Sequence, residues 1–218
     1  MNMQYTKRIV TLIAGVAALG LATTAQAGLK EDLAEAASTF AVSRQHYLQA
    51  QQELGQALGV KADVTKKLAE AQKLTGSKNK KDQDKASALT AEAKKEIDAA
   101  MATAGALSDK QKEHLQKAGA AFAEGASKDA LLTPKAVKLA EDAKKAVEAA
   151  KNAKGVGALK ASKDAAELST AAATLNTGLA MDVKEALALA PKMIALGKKN
   201  NVELPSVEGA MKALGGNP

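Results

Sequence analysis

The stretch that decides the fold is DVKEALALAPKMIALG, residues 182–197. At helical spacing its apolar side chains fall on two adjacent lines, so more than half of the helix circumference is apolar. One line holds Val183, Leu187, Ala190 and Ile194, and the next holds Ala186, Leu189, Met193 and Leu196. A helix of this kind needs packing partners on several sides. We therefore predict a central apolar helix near 182–197, surrounded by helices with narrower apolar stripes.

The composition of the chain predicts an all-α fold. Alanine and leucine, which are strong helix formers, dominate the sequence, whereas aromatic residues make up only 2% of it and tryptophan is absent. We predict a helical bundle of about six to eight helices. Because alanine-rich cores bury little area per residue and let helices approach closely, an elongated bundle fits this composition.

The first 27 residues have the pattern of a secretory signal peptide. Lys7 and Arg8 form a basic region, residues 9–22 form an apolar run of 14, and Ala25-Gln26-Ala27 is a small-x-small cleavage site. The run is shorter than the roughly 20 residues that a spanning helix needs, so cleavage before Gly28 is expected. The chain has no cysteine, and therefore no disulfide and no site for lipid attachment. We predict a periplasmic or secreted protein.

The remaining residues, 28–218, are predicted to form a single helical-bundle domain, with sub-bundles 28–132 and 133–218 as the alternative. A shift of 50 residues aligns 85–105 with 135–155 and gives nine identities. A duplicated helix pair would explain this match. The high alanine and lysine content inflates such matches, so convergent helix composition is the alternative and both interpretations stay open.

The first half of the domain contains three helical patterns. The first, at 29–58, carries a large apolar residue every seven positions, which is typical of a coiled-coil seam. These residues, which we call the heptad residues of the first helix, are Leu33, Phe40, Tyr47 and Leu54. Helical patterns follow at 60–74 and at 81–106, and a lysine-rich surface loop is predicted between them at 78–82.

The second half contains several signals for helix starts. Ser108-x-x-Gln111 fits a capping box, and Thr133-Pro134 fits an N-cap followed by proline at the first helical position. A further helix is predicted at 158–179, and Asp182-x-x-Glu185 would then open the apolar helix. Pro191 lies inside that helix and is expected to kink it or break it in two.

No residue pattern indicates catalysis or a cofactor. The chain lacks a Cys-x-x-Cys-His haem motif and phosphate-binding glycine loops, and neither His46 nor His114 has the partners of a metal site at helical spacing. Ser108, Asp109 and His114 are close in sequence, but a catalytic triad converges from different elements, so this group is interpreted as a cap. We expect no catalytic, cofactor-binding or metal residues, no cofactor, and no enzymatic activity.

Two segments are strongly basic. Residues 60–85 carry eight lysines against four acidic residues, and residues 133–160 carry seven against three. Surfaces that bind nucleic acids favour arginine and interleave aromatic residues, and these segments contain neither. Arg44 is the only arginine after the signal peptide. The segments are therefore interpreted as solvated helix faces, and nucleic acid is not an expected partner.

These observations favour an exported helical bundle that acts non-catalytically through its surface. Such a protein would serve as a scaffold, adaptor or chaperone-like binder of other envelope proteins. The alternative is an amphipathic binder of anionic lipid or of the envelope surface, in which lysine-rich faces meet anionic headgroups. The sequence carries no signal for a particular partner or for an oligomeric state.

Overall fold

A computed structural model describes residues 24–75, 77, 79–153 and 158–216. Its regular structure is entirely helical, with six α-helices and no strand among these residues, which confirms the all-α prediction. The helices are α1 (Thr24–Ala57), α2 (Ala62–Leu74), α3 (Lys80–Thr103), α4 (Asp109–Asn152), α5 (Ala158–Lys199) and α6 (Pro205–Ala213). Among the described residues, no helix is both long enough and apolar enough to cross a membrane.

The predicted signal peptide lies mostly outside the described residues. Only its last four residues, 24–27, are described, and they begin α1. The signal peptide and its cleavage before Gly28 therefore stay predictions.

Three long helices, α1, α4 and α5, form the body of the protein. They contain 34, 44 and 42 residues, so α4 extends about 66 Å at the usual helical rise. Helix α4 packs against α1, α5 and α6, whereas α2 and α3 form a helical hairpin against the second half of α1. Helix α1 contacts the largest number of other helices, α2, α3, α4 and α5, and its most extensive contact is with α4.

The predicted central segment 182–197 lies in the core but not at its centre. The line with Ala186, Met193 and Leu196 is mostly buried, whereas the line with Val183, Leu187 and Ile194 is mostly half-buried. The buried residues are Ala186, Ala190, Met193, Leu196 and Gly197, and the half-buried residues include Val183, Leu187, Leu189 and Ile194. Leu187, Leu189 and Ile194 pack against the buried core, and Ala188, Pro191 and Ala195 are exposed, so the bundle covers this segment on part of its circumference.

The predicted helix start at Thr133-Pro134 is wrong. Helix α4 continues through both residues, with Pro134 exposed on its outer face. The Thr133 hydroxyl donates a hydrogen bond to the Asp129 carbonyl at 2.8 Å instead of capping a new helix. Leu132 and Ala136 on either side are buried, so packing keeps the segment helical although proline removes one backbone bond.

The predicted start at Asp182 fails for a related reason. Helix α5 runs without interruption through Asp182 and Pro191, and the Asp182 carboxylate binds Arg44 of α1 instead of a backbone N–H. Pro191 is exposed, so the pyrrolidine ring points away from the core and the helix does not break there. Tertiary contacts override both local cap patterns.

Other local predictions are confirmed. Ser108 and Gln111 make both hydrogen bonds of a capping box at the start of α4. The heptad residues of α1 face the core: Leu33, Phe40 and Leu54 are buried and Tyr47 is half-buried. The predicted loop at 78–82 is shorter than expected, because the Asn79 side chain accepts from the Lys81 N–H and α3 already begins at Lys80.

The core is divided into two apolar clusters. The narrow cluster contains only residues of α1, α4 and α5, whereas the wide cluster also includes α2, α3 and α6. The narrow cluster comprises Leu29, Leu33, Ala36, Ala37, Phe40, Leu132, Ala136, Leu139, Ala143, Leu168, Ala172, Leu175 and Leu179. All three long helices pass through both clusters, and the alternative boundary at 132/133 falls inside α4. The division into domains stays a prediction.

Replacing Pro191 with alanine should stabilise the protein. Alanine restores a backbone N–H at an exposed position inside α5, so we expect Pro191→Ala to raise the free energy of unfolding by about 1–3 kcal/mol. The measurement is urea unfolding followed by circular dichroism.

Pro205→Ala is the matched control, because Pro205 occupies the first turn of α6, where proline costs no helical hydrogen bond. This variant should not gain stability. A destabilised Pro191→Ala protein would contradict the interpretation, since it would mean that the packing of α5 needs the proline.

Candidate functional site

A layer of polar side chains lies between the narrow and wide clusters. We call it the polar layer, and it consists of Ser43, Arg44 and Tyr47 of α1, Asp129 of α4 and Asp182 of α5. Ser43 and Asp129 are both 0% exposed. Buried polar groups are costly unless they are paired, so the contacts inside this layer constrain how the three helices meet.

Each member occupies a position where its helix would otherwise place an apolar residue. On α1, Ser43 and Arg44 fall three and four residues after the buried Phe40. Asp129 follows the buried Ala126 by three residues, and Asp182 follows the buried Leu179 by three. Helical spacing therefore directs all of these side chains toward the same interface.

Arg44 and Asp182 form a two-pronged ion pair between α1 and α5. The Nε–Oδ2 distance is 2.8 Å and the Nη2–Oδ1 distance is 3.3 Å. The guanidinium carbon also lies 5.4 Å from the centre of the Phe40 ring, a cation–π contact. The side chains are 27% and 11% exposed, so solvent screens this pair only weakly. Such bidentate geometry fixes orientation as well as distance.

Asp129 joins α4 to α1 through two hydroxyl groups. The Ser43 Oγ lies 2.6 Å from Asp129 Oδ1, and the Tyr47 Oη lies 3.0 Å from Asp129 Oδ2. The Ser43 Oγ is also 3.0 Å from the Gly125 carbonyl oxygen. A hydroxyl has one hydrogen and cannot satisfy two acceptors fully. With a protonated Asp129, the carboxyl donates to Ser43, Ser43 donates to Gly125, Tyr47 donates to the other oxygen, and every group is satisfied.

The electrostatic environment favours that protonated form. Burial raises the pKa of Asp129 to about 7, although the hydrogen bond from Ser43 opposes the shift, and the nearby Asp182 adds to it. Burial also raises the pKa of Asp182, against the opposing effect of the Arg44 guanidinium. Burial and the neighbouring Asp129 raise the pKa of Tyr47, so its phenol stays a neutral donor. The layer holds two carboxyl groups and one cation.

The two histidines lie away from the polar layer's centre, on the α1–α4 interface. His46 Nδ1 is 3.0 Å from Glu124 Oε2, and His114 Nδ1 is 2.7 Å from Glu53 Oε2. Each pair joins one helix to the other. Within the described ranges, no group of three histidine, cysteine or acidic side chains is arranged to hold a metal ion. Ser108 bonds to Gln111 as a helix cap, in agreement with the interpretation of Ser108, Asp109 and His114 as a cap.

Several lysines of the two basic segments make ion pairs between helices. Lys67 of α2 lies 3.2 Å from Glu92 of α3, and Lys135 of α4 lies 3.0 Å from Glu35 of α1. In both pairs the acidic partner lies outside the basic segments as counted from the sequence. The folded surface around these lysines is therefore less basic than the segment totals suggest.

A second feature, which we call the seam, lies on the outside of the α1–α4 interface. It consists of Glu35, Val42 and His46 of α1 and Glu124, Leu131 and Lys135 of α4. The ion pairs Lys135–Glu35 and His46–Glu124 cross from one helix to the other at the two ends of the seam. Between them, Val42 is 37% exposed and Leu131 is 77% exposed.

Helical periodicity places these residues on two facing lines. On each helix the intervals are seven and four residues, which return to nearly the same angular position. The two crossing pairs show that α1 and α4 are antiparallel, so Val42 and Leu131 lie within about one helical turn of each other along the axes. Both are exposed and lie between the two crossing ion pairs.

Comparisons with known proteins return no match: no protein-family model, no curated protein and no solved structure is similar to the chain. The polar layer and the seam are therefore interpreted from their own geometry.

Sequence reasoning did not identify the polar layer, although a signal was present. Ser43, Arg44, Asp129 and Asp182 interrupt apolar stripes at core positions, and Arg44 was already notable as the only arginine of the predicted mature chain. Periodicity alone could not show which of these residues meet, because that depends on the register between helices that are far apart in sequence.

Removing the cation from the polar layer should destabilise the fold strongly. Arg44→Met keeps a long side chain but leaves the Asp182 carboxylate largely buried without its partner, so we expect a loss of about 3 kcal/mol in the free energy of unfolding. The double variant Arg44→Met/Asp182→Leu should recover most of that loss. Urea unfolding at pH 7 measures both.

Lys145→Ala serves as the control, because Lys145 forms an exposed pair with Asp142 and should have no measurable effect. The importance assigned to the ion pair would be contradicted if Arg44→Met unfolded at the same urea concentration as Lys145→Ala.

Proposed function

We propose that the protein is an exported helical bundle that binds other envelope proteins through its surface and performs no catalysis. In this role it serves as a scaffold, adaptor or chaperone-like binder in the periplasm or outside the cell. The observation that carries the proposal is the seam, where Leu131 is 77% exposed and Val42 is 37% exposed. The export part rests on the signal-peptide pattern of residues 1–27.

The seam has the composition of a small protein-binding surface. Binding interfaces typically have an apolar centre and a polar rim that excludes water. In the seam, Val42 and Leu131 form the centre, and the two crossing ion pairs form the rim. Both side chains project from helices that are packed along their length, so a partner would meet a preformed backbone.

The surface next to Leu131 adds a shallow concavity. A depression open to solvent is lined by Ala123, Glu124, Ser127, Lys128 and Leu131, all of α4. These residues occupy one side of the helix, adjoining the seam. We propose that an apolar segment of another envelope protein covers Leu131 and enters this depression, with the polar residues at its edges in contact with the segment's backbone or charged groups.

Placing a charge in the seam should abolish binding. Leu131→Glu removes the apolar centre at an exposed position, so the fold should persist while capture of the partner falls at least about tenfold. The measurement is crosslinking in intact cells, followed by purification of the protein and quantitative mass spectrometry.

Leu159→Glu is the matched control. Leu159 is also a leucine on a helix surface, is 86% exposed, and lies in the first turn of α5, outside the seam. The proposal would be wrong if both variants retained the same crosslinked partners as the wild type. Salt-sensitive flotation with anionic vesicles, unchanged by Leu131→Glu, would instead support the lipid-binding alternative.

A further inference from the structure

Asp129 is a fully buried carboxyl bonded to the Ser43 and Tyr47 hydroxyls, and the guanidinium of Arg44 beside it already forms an ion pair with Asp182. We propose that the polar layer is a proton-controlled joint: when Asp129 loses its proton, α1, α4 and α5 separate locally between the narrow and wide clusters. This inference does not depend on the proposed binding of envelope proteins.

The charges that face Asp129 come from each neighbouring helix. Helix α1 supplies the Arg44 guanidinium and the Tyr47 phenol, and α5 supplies the Asp182 carboxylate. Behind Asp182, Glu185 of α5 lies 3.0 Å from Lys94 of α3. On the surface side, His46 of α1 pairs with Glu124 of α4. Arg44 is already bound to Asp182, and its charge lowers the pKa of Asp129 by less than burial raises it.

Loss of the proton places a negative charge in a fully buried site. The Ser43 and Tyr47 hydroxyls can still donate to the carboxylate, and the Gly125 carbonyl keeps its helical hydrogen bond within α4, but the only charged partner nearby among the described residues is the Arg44 guanidinium that already binds Asp182. Hydration would stabilise the charge, and hydration requires the helices to separate.

Helices α1 and α4 are in close contact at the polar layer, so they must move apart before water can reach Asp129. A Cβ added at Gly125 would lie 3.1 Å from the Ser43 carbonyl oxygen and 3.2 Å from Tyr47 Cε1. The two helices therefore meet here with no space for water between them. Apolar clusters hold the helices together on either side of the layer, so opening at the layer need not disrupt both clusters.

The direction of the pH dependence follows from linkage. In the closed joint the pKa of Asp129 is about 7, whereas a solvated aspartate has a pKa near 4. The closed state therefore binds the proton more tightly, and opening releases it. The fraction of open joints should rise by up to about tenfold per pH unit between pH 4 and pH 7 and become constant above pH 7.

Native-state hydrogen exchange of the purified protein at pH 5, 6, 7 and 8 tests this inference. After correction for the intrinsic pH dependence of amide exchange, the opening constants at Tyr47, Asp129 and Asp182 should rise about tenfold or more from pH 5 to pH 7. Amides of Val64 and Leu68 in α2, which are buried in the wide cluster away from the layer, should change much less.

Asp129→Asn is the decisive variant, because an amide reproduces the neutral acid by accepting from Tyr47 and donating to Ser43. The pH dependence at the layer amides should be much smaller in Asp129→Asn than in the wild type, and what remains comes from Asp182, whose pKa is also raised by burial. His46→Gln, which changes a side chain at the surface, should keep the wild-type profile. Three results would overturn the inference: a flat wild-type profile, an unchanged profile in Asp129→Asn, or an equal change at Val64 and Leu68. The first and third need only the wild-type protein.

Discussion

One guanidinium and two carboxyl groups are enclosed between three helices, and their pairing constrains the rest of the structure. Arg44 can satisfy Asp182 only when α1 and α5 are aligned to within a fraction of a helical turn, since its two hydrogen bonds need a fixed geometry. Asp129 can reach Ser43 and Tyr47 only when α4 is aligned with α1 in the same way. Alanine-rich interfaces are small and repetitive, so they discriminate poorly between alternative alignments. The polar layer supplies that discrimination.

The division of the core follows from the same layer. On each long helix, the buried apolar residues of the narrow cluster lie on one side of the layer and those of the wide cluster lie on the other side. The hairpin of α2 and α3 and the short α6 add to the wide cluster only. Ion pairs such as Lys94–Glu185 and Lys192–Asp98 connect α3 to α5 across the surface. The seam and the layer occupy the same stretch of α1 and α4, so the surface proposed to bind partners and the joint proposed to respond to protons share these two helices.

The sequence predicts the helical class and much of the local structure, because these depend on short-range patterns. The heptad of Leu33, Phe40 and Leu54 and the capping box at Ser108 are correct for that reason. The patterns at Thr133-Pro134 and Asp182 were misinterpreted as helix starts, since their side chains have partners other than a helix N-terminus. A polar residue within an apolar stripe was the available signal for the layer. The identity of each partner required the three-dimensional register, which no local pattern contains.

The most direct test of this account is a distance measurement across the α1–α4 interface after the layer is made apolar. Spin labels can be placed at Val42→Cys and Leu131→Cys without interference, because the chain has no other cysteine. In the otherwise unchanged protein, the label distance should have a single narrow distribution. With Ser43→Ala, Arg44→Met, Asp129→Leu and Asp182→Leu combined, the account predicts a helical protein with a broad or multiple distribution, since a slip of one heptad moves a label about 10 Å. The same narrow distribution in both proteins would contradict the claim that the polar layer sets the register.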